Sequence, residues 1–449
     1  MDPHITHVSE PRRRAALAFI YITVVLDMLA FGIIVPVLPH LIEQLAGGGI
    51  ADAAWWVGVF STVFAIVQFI CSPIQGALSD RFGRRPVILI SNFGLAVDFL
   101  VLAVAPTLWL LFAARIFLGM TAASFTTANA YIADITPKEK RSAAYGILGS
   151  AFGVGFIIGP SLGGVLGEIS LRLPFWVAAG LAGCNFLYGL LILPESLPKE
   201  RRTPKFELHS AHPLGAFKLL RRYPQVLGLA FVLFLVYLAH YVLQTTFVLY
   251  ADYRYDWGIR AAGLVLTLVG ACDGLVQAFL TGRLTPKFGE RRVLIGGMVC
   301  GIGAFLLMGM TGVGWVFLLG VPLMALWGLA MPPMQSIMTH EVDPSEQGRL
   351  QGALSTLGSF AGIFGPFLFA QVFAFAISPS SPVHVPGLAF LLSAALMLIG
   401  AVVAWRITRH TVDPSRAEPD APAAGHDLSP MATHRPIEPS TIDTRESSQ

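Results

Sequence analysis

Long apolar stretches separated by short polar connections dominate the chain from residue 15 to residue 407. The apolar positions run continuously, without the alternation of a half-buried strand or a barrel wall. Twelve such stretches occur, at 15–39, 55–76, 86–105, 108–133, 142–166, 174–193, 225–250, 259–282, 292–311, 314–339, 350–376 and 386–407. A helix needs about 20 apolar residues to cross a hydrocarbon core of about 30 Å, and each stretch is of that order. Backbone N–H and C=O groups facing lipid must be paired within the segment, so the stretches predict transmembrane α-helices. The first follows Arg12, Arg13 and Arg14, contains Asp27 and is too long for a cleaved leader, so it reads as a retained span.

Three segments break the pattern. Residues 194–224 form a basic central connection. In it Leu214, Phe217 and Leu220 share a helical face, with Lys218, Arg221 and Arg222 elsewhere, as in a helix lying on an anionic membrane surface. A plain flexible linker fits the same residues. Residues 408–449 carry Pro, Ser, Ala and charge with almost no large apolar side chains, and predict a disordered tail. The first eleven residues are expected to be disordered as well.

An internal repeat organises the spans. The stretch GALSDRFGRR from Gly76 to Arg85 resembles GRLTPKFGERR from Gly282 to Arg292, and Phe82 and Gly83 fall 206 residues before Phe288 and Gly289. Gly146 and Gly352 keep the same offset, as do Gly159–Pro160 and Gly365–Pro366. The chain is therefore expected to hold two parallel six-helix halves, 15–193 and 225–407, flanked by segments 1–14, 194–224 and 408–449. Parallel repeats of this kind are related by an axis along the membrane normal.

Composition agrees with the span count. Of the 449 residues 55 % are hydrophobic and 13 % charged, about half the charged share of a soluble domain. The net charge of +3 says little about partners, but its distribution does. With the N-terminus in the cytoplasm, 26 of the 30 Lys and Arg fall on the cytoplasmic side; only Arg172, Arg254 and Arg260 fall opposite, and Arg115 lies within a span. The positive-inside rule then puts both termini in the cytoplasm, in a multi-pass cell-membrane (inner-membrane) protein. Cys71, Cys184, Cys272 and Cys300 lie in apolar runs and read as packing residues, so no metal site is expected. No nucleotide-binding or hydrolytic motif occurs, so no enzyme, cofactor or nucleic-acid partner is expected, and an ion gradient must drive any flux.

Candidate chemistry rests on the few charges inside the spans. Asp27, Asp98, Arg115 and Asp273 lie deep in apolar stretches, where each costs about 2.5–3.5 kcal/mol on insertion scales. The three Asp residues fall near the midplane, where transporters of parallel halves bind substrate. A carboxylate shielded from water resists ionising; it can load a proton on one side and release it when a cation arrives. The other reading is a structural ion pair, with Asp98 or Asp27 on Arg115.

These segments resemble the major facilitator superfamily. The stretch with Gly76, Asp80, Arg81, Gly83, Arg84 and Arg85 resembles its signature loop between the second and third spans. Gly153, Gly155, Gly159, Pro160, Gly163 and Gly164 resemble the fifth-span motif of its drug:proton antiporters. Leu26–Asp27 with Pro36 and Pro39 is similar to the twelve-helix branch, and within it Ser79–Ser91, Ala130–Thr136, Leu193–Ser196 and Gly348–Gly352 resemble tetracycline efflux proteins.

The resemblance implies a proton-coupled exporter that exchanges a divalent-metal–tetracycline monocation for a proton by alternating access. A divalent cation then enters only as part of the chelated substrate. Asp27, Asp98 and Arg115 match functional positions of that family. Gln68, Gln277 and Gln335 match polar positions that would bond a ligand rich in hydroxyl and keto groups, or else bond neighbouring helices. His240, with Tyr241 and Gln244, is either a further ligand or structural. Two positions depart from the pattern: Cys300 stands where the family has an acid, and Asp273 where it often has a histidine. Export of another amphipathic drug or metabolite therefore stays open, as does a non-transporting receptor on the same fold. Asp80, Arg84 and Arg85, with Asp134 and Arg141, are expected to form a cytoplasmic latch that breaks and re-forms during transport. The glycines of the fifth span are expected to let it pack closely on a helix of the other half, with Pro160 kinking it. The transporter is expected to work as a monomer on a small molecule and protons in the lipid bilayer.

Overall fold

The computed structural model describes residues 10–122, 124–137, 140–203, 215–382 and 384–410, and among them every regular element is helical. Eleven helices are long and apolar enough to span a bilayer: α2 (Ile50–Phe82), α3 (Arg84–Val104), α4 (Leu108–Ile135), α5 (Ala144–Ile169), α6 (Leu173–Ile192), α7 (Pro224–Thr245), α8 (Ile259–Phe288), α9 (Glu290–Met310), α10 (Gly314–His340), α11 (Pro344–Ile377) and α12 (Leu388–Ile407). The twelfth span, α1, is a bent pair, Ala18–Ile34 and Leu38–Ala46, meeting at 42°. Its sequence predicts a straight helix over 15–39. Pro36 lacks the N–H that would continue the ladder and its ring opposes the preceding turn, so the chain breaks there and restarts.

The packing follows the repeat. In the first half α1 lies on α5 and α6, α3 on α6, and α2 on α4; in the second, α7 lies on α11 and α12, α9 on α12, and α8 on α10. The halves meet through two equivalent pairs, α2 on α11 and α5 on α8. This is the twelve-span architecture of two six-helix bundles. Large apolar side chains remain on the outside, among them Trp109, Ile169, Leu191 and Met310, as expected where lipid rather than water is the solvent.

The central connection is helical over Gly215–Arg222. Leu219 and Leu220 are buried against the bundle, Arg221 and Arg222 are exposed, and Tyr223 donates its hydroxyl to Glu346 at 2.9 Å. This segment docks on the start of α11 rather than standing free. Leu214 and the side chains of Phe217 and Lys218, which carry the rest of the expected amphipathic face, lie outside the described residues, as do 1–9 and the tail from 411 on.

Candidate functional site

Of the four charges inside the spans, Asp27 and Asp98 are buried, while Arg115 and Asp273 are partly exposed. Asp98 on α3 is fully buried and pairs with Arg115 on α4. The other Asp98 oxygen and the Arg115 Nε have no hydrogen-bond partner among the described residues. Asp27 on α1 is 5 % exposed and accepts a hydrogen bond of 3.1 Å from Asn185 on α6. Both acids thus face neighbours within the first half. Asp273 on α8 differs: it is partly exposed and makes no ion pair among the described residues.

Three residues after Asp273 the α8 ladder widens into a π-helical segment, Val276–Thr281, a distortion found frequently at functional sites. Facing it, α10 tightens to a 3₁₀ segment over Leu326–Ala330. Pro332 causes part of this, because it has no N–H to give to the carbonyl of Gly328 four residues back. The Gln277 side-chain amide donates to that carbonyl at 3.3 Å. Asp273 and Gln277, four residues apart, share one side of α8.

The first half repeats the device. α4 stops at Thr121 and restarts at Ser124. Two glutamines of α2 serve carbonyls at that break: Gln68 donates to Ala122 at 3.4 Å, and Gln75 donates to Met120. Gln68 and Gln277, read from the sequence either as ligand donors or as bonds to neighbouring helices, take the second role in this conformation, at broken backbone. Gln335 on α10 and Gln244 on α7 are exposed. His240 lies with its ring 5.4 Å from that of Trp327, and Tyr241 packs on α11 at Gly362 and Gly365. Cys300 is half-buried on α9 with no bonded partner.

The signature loop turns at Gly83, whose φ of 107° suits glycine. Arg84 bonds Asp80 at 2.5 Å, Asp134 at 3.1 Å and Ser79 at 3.0 Å. Arg85 donates to the carbonyl of Leu190, Arg141 to those of Ala133 and Thr136, and Arg81 lies over the Phe82 ring. Glu195 holds the start of α3 by accepting the backbone N–H of Arg84 at 2.8 Å and of Arg85 at 3.3 Å, a carboxylate placed where a helix start favours negative charge. All these contacts join elements of the first half. They brace it, and none of them clamps it to the second half.

The α5 glycines divide between two neighbours. A Cβ at Gly155, Gly159 or Gly163 would strike the backbone of α1 at Met28–Leu29, Gly32 or Ile33. A Cβ at Gly164 would lie 3.1 Å from Arg260 and Ile259 of α8 in the other half, and one at Gly167 would lie 2.9 Å from the Ile259 side chain, while Gly153 faces open space. The expectation that the whole stripe packs across the halves is corrected accordingly. With a spacing of about 3.6 residues per turn, Gly155, Gly159 and Gly163 stay on one stripe, and Gly164 is rotated about 100° from it. The helix runs unbroken through Pro160.

Glycines also report which side is open. Gly58, Gly164, Gly263 and Gly270 pack tightly across the interface toward the outer face. Toward the cytoplasmic ends of α2, α5, α8 and α11, a Cβ at Gly76, Gly146, Gly149, Gly153, Gly282, Gly348 or Gly352 would meet no described atom within 4 Å. The halves thus touch outside and part toward the cytoplasm, leaving Asp273 and the π segment beside the opening. Asn185 does not stand out in the sequence, since one polar residue in an apolar run carries no spacing signal, and Glu195 is marked there only as part of the Leu193–Ser196 segment, with no role read for it.

The profile of the Major Facilitator Superfamily matches residues 20–366 and, in a second match, 229–440. The chain is 38 % identical over 384 residues to the tetracycline resistance protein, class C, of Escherichia coli, covering 86 % of this chain and 95 % of that protein. It is 34 % identical over 403 residues to the class H tetracycline resistance protein of Pasteurella multocida, covering 88 % and 97 %. The crystal structure of the human organic anion transporter MFSD10 (TETRAN) superposes with a TM-score of 0.65 at 24 % identity over 87 % of this chain and 99 % of that one.

Proposed function

The chain belongs to the major facilitator superfamily and is a secondary-active transporter resembling tetracycline and drug efflux proteins; on that premise we propose that it exports a tetracycline-class drug in exchange for protons. The substrate enters as the chelate of a divalent cation, a net monocation, through the opening on the cytoplasmic side. The two halves, 15–193 and 225–407, then rock about the substrate.

The observation that carries the coupling is the position of Asp273. Asp98 is committed to Arg115 and Asp27 is bonded by Asn185, whereas Asp273 stands partly exposed beside a distorted segment at the open side. A carboxylate there can hold a proton while the site is empty and give it up when a cation displaces it. Asp98, Arg115 and Asp27 keep the first half in register and respond to the change at α8. We assign function to the monomer, since each half meets the other within one chain.

A second reading has its own support. Asp273 and Cys300 both depart from the pattern of the tetracycline exporters, so another amphipathic drug or metabolite is the alternative substrate. Cells expressing the protein, exposed to a drug panel with and without a protonophore, distinguish the two. Tetracycline resistance that disappears when the gradient collapses supports the first reading. Gradient-dependent resistance to other compounds alone supports the second, and the absence of any gradient-dependent resistance overturns both.

A further inference from the structure

Three metal-ligating side chains meet on the outer face, away from the opening. His40 and Glu43 lie on the second arm of α1, Leu38–Ala46, and Asp252 lies on the helix Phe247–Tyr255 that follows α7. One ligand atom from each falls within 4.8 Å of the other two. His40 and Glu43 are three residues apart on one helical face, with Nδ1 3.4 Å from the Glu43 carboxylate. His40 Nε2 is buried and has no hydrogen-bond partner among the described residues. A cavity of about 550 Å³ adjoins the group and is lined also by Glu168, Ile259 and Arg260. Arg260, the one Lys or Arg among the described lining residues, is balanced by Glu168 at 3.3 Å.

We propose that His40, Glu43 and Asp252 form a binding site for a divalent transition metal of the zinc class, bridging the two halves across their closed outer face. One imidazole and two carboxylates are a donor set that zinc accepts, with water in the fourth position. Tetrahedral ligands at 2.0–2.2 Å from zinc lie about 3.3–3.6 Å apart, so side-chain rotation of an ångström or so closes the group on an ion. The dication also neutralises the two carboxylates that this conformation brings together. His40 and Glu43 belong to the first half and Asp252 to the second, so the site is complete only while the outer face is shut. A ligand that binds one conformation shifts the population toward it. Bound metal therefore holds the transporter open to the cytoplasm and slows turnover. This site is separate from the substrate region and does not depend on the identity of the substrate.

The test uses purified full-length protein and Zn²⁺ alone. Competition with a fluorescent chelator should show a zinc site that Asp252→Asn and His40→Gln each weaken by at least about tenfold. Glu43→His should bind at least as tightly as the unaltered protein, an outcome that misfolding cannot produce. Spin labels at Tyr145→Cys and Arg283→Cys, on a cysteine-free background, report the separation of the cytoplasmic ends of α5 and α8. Zinc should narrow their distances to the wide, cytoplasm-open value, and Asp252→Asn should abolish that response. Zinc affinity unchanged by both Asp252→Asn and His40→Gln overturns the site. Binding that leaves the label distances unaltered overturns the bridge.

Discussion

Removing Arg115 offers the sharpest reading of the buried pair. Its partner Asp98 has no exposed surface and has its only described ion pair with this guanidinium. In Arg115→Gln the carboxylate is left charged in a low-dielectric site, a state costing several kcal/mol. It escapes by taking up a proton. For a carboxylate with an ordinary value near 4, neutralisation at pH 7 costs about 4 kcal/mol, which caps the loss. The expected destabilisation is thus about 3–4 kcal/mol. Asp98→Asn leaves a guanidinium that cannot shed its proton, and breaking a buried pair from that side costs about 3–5 kcal/mol. The double variant Asp98→Asn/Arg115→Gln removes both charges and keeps shape, so most of the stability returns, with a coupling of at least about 2 kcal/mol. Unfolding in mixed micelles with increasing sodium dodecyl sulfate, followed by tryptophan fluorescence, measures all four proteins. Single and double variants whose losses simply add would refute the pairing as the reason these charges are tolerated.

Other expectations are narrower. Gly163→Ala drives a methyl into the Ile33 backbone of α1 and should cost about 1–3 kcal/mol or more, whereas Gly153→Ala, which faces open space, should fold normally; thermal unfolding in detergent compares them. Gln75→Leu withdraws a buried donor from the Met120 carbonyl at the α4 break and should lose about 1–3 kcal/mol in the same assay. Glu195→Gln weakens the anchor at the start of α3, and a loss of about 1 kcal/mol that shrinks at high salt is expected.

The spans, the repeat and the family motifs were legible because each is a periodic or spaced pattern. Hydrocarbon length sets the spans, and one constant offset from Gly76 to Gly282 ties the halves together. The bend at Pro36 was within reach of local rules, but a run of apolar residues masked it. The partners of single polar residues were not legible. Nothing local to Gln277 points to the carbonyl freed by Pro332, 55 residues later, and nothing near Asp27 points to Asn185. The glycines of α5 were recognisable as a packing stripe, yet which neighbour each one meets depends on rotation of the helix by a fraction of a turn. His40, Glu43 and Asp252 are separated by too much chain to form a spacing motif.

The proposal that Asp273 couples proton and drug movement is tested most directly in proteoliposomes holding an imposed proton gradient, with an internal pH-sensitive dye. Adding tetracycline with Mg²⁺ should speed collapse of the gradient for the unaltered protein, while Asp273→Asn, reconstituted to the same level, should leave the gradient as slow to decay as protein-free vesicles. Equal acceleration by Asp273→Asn, or none by the unaltered protein, would contradict the account.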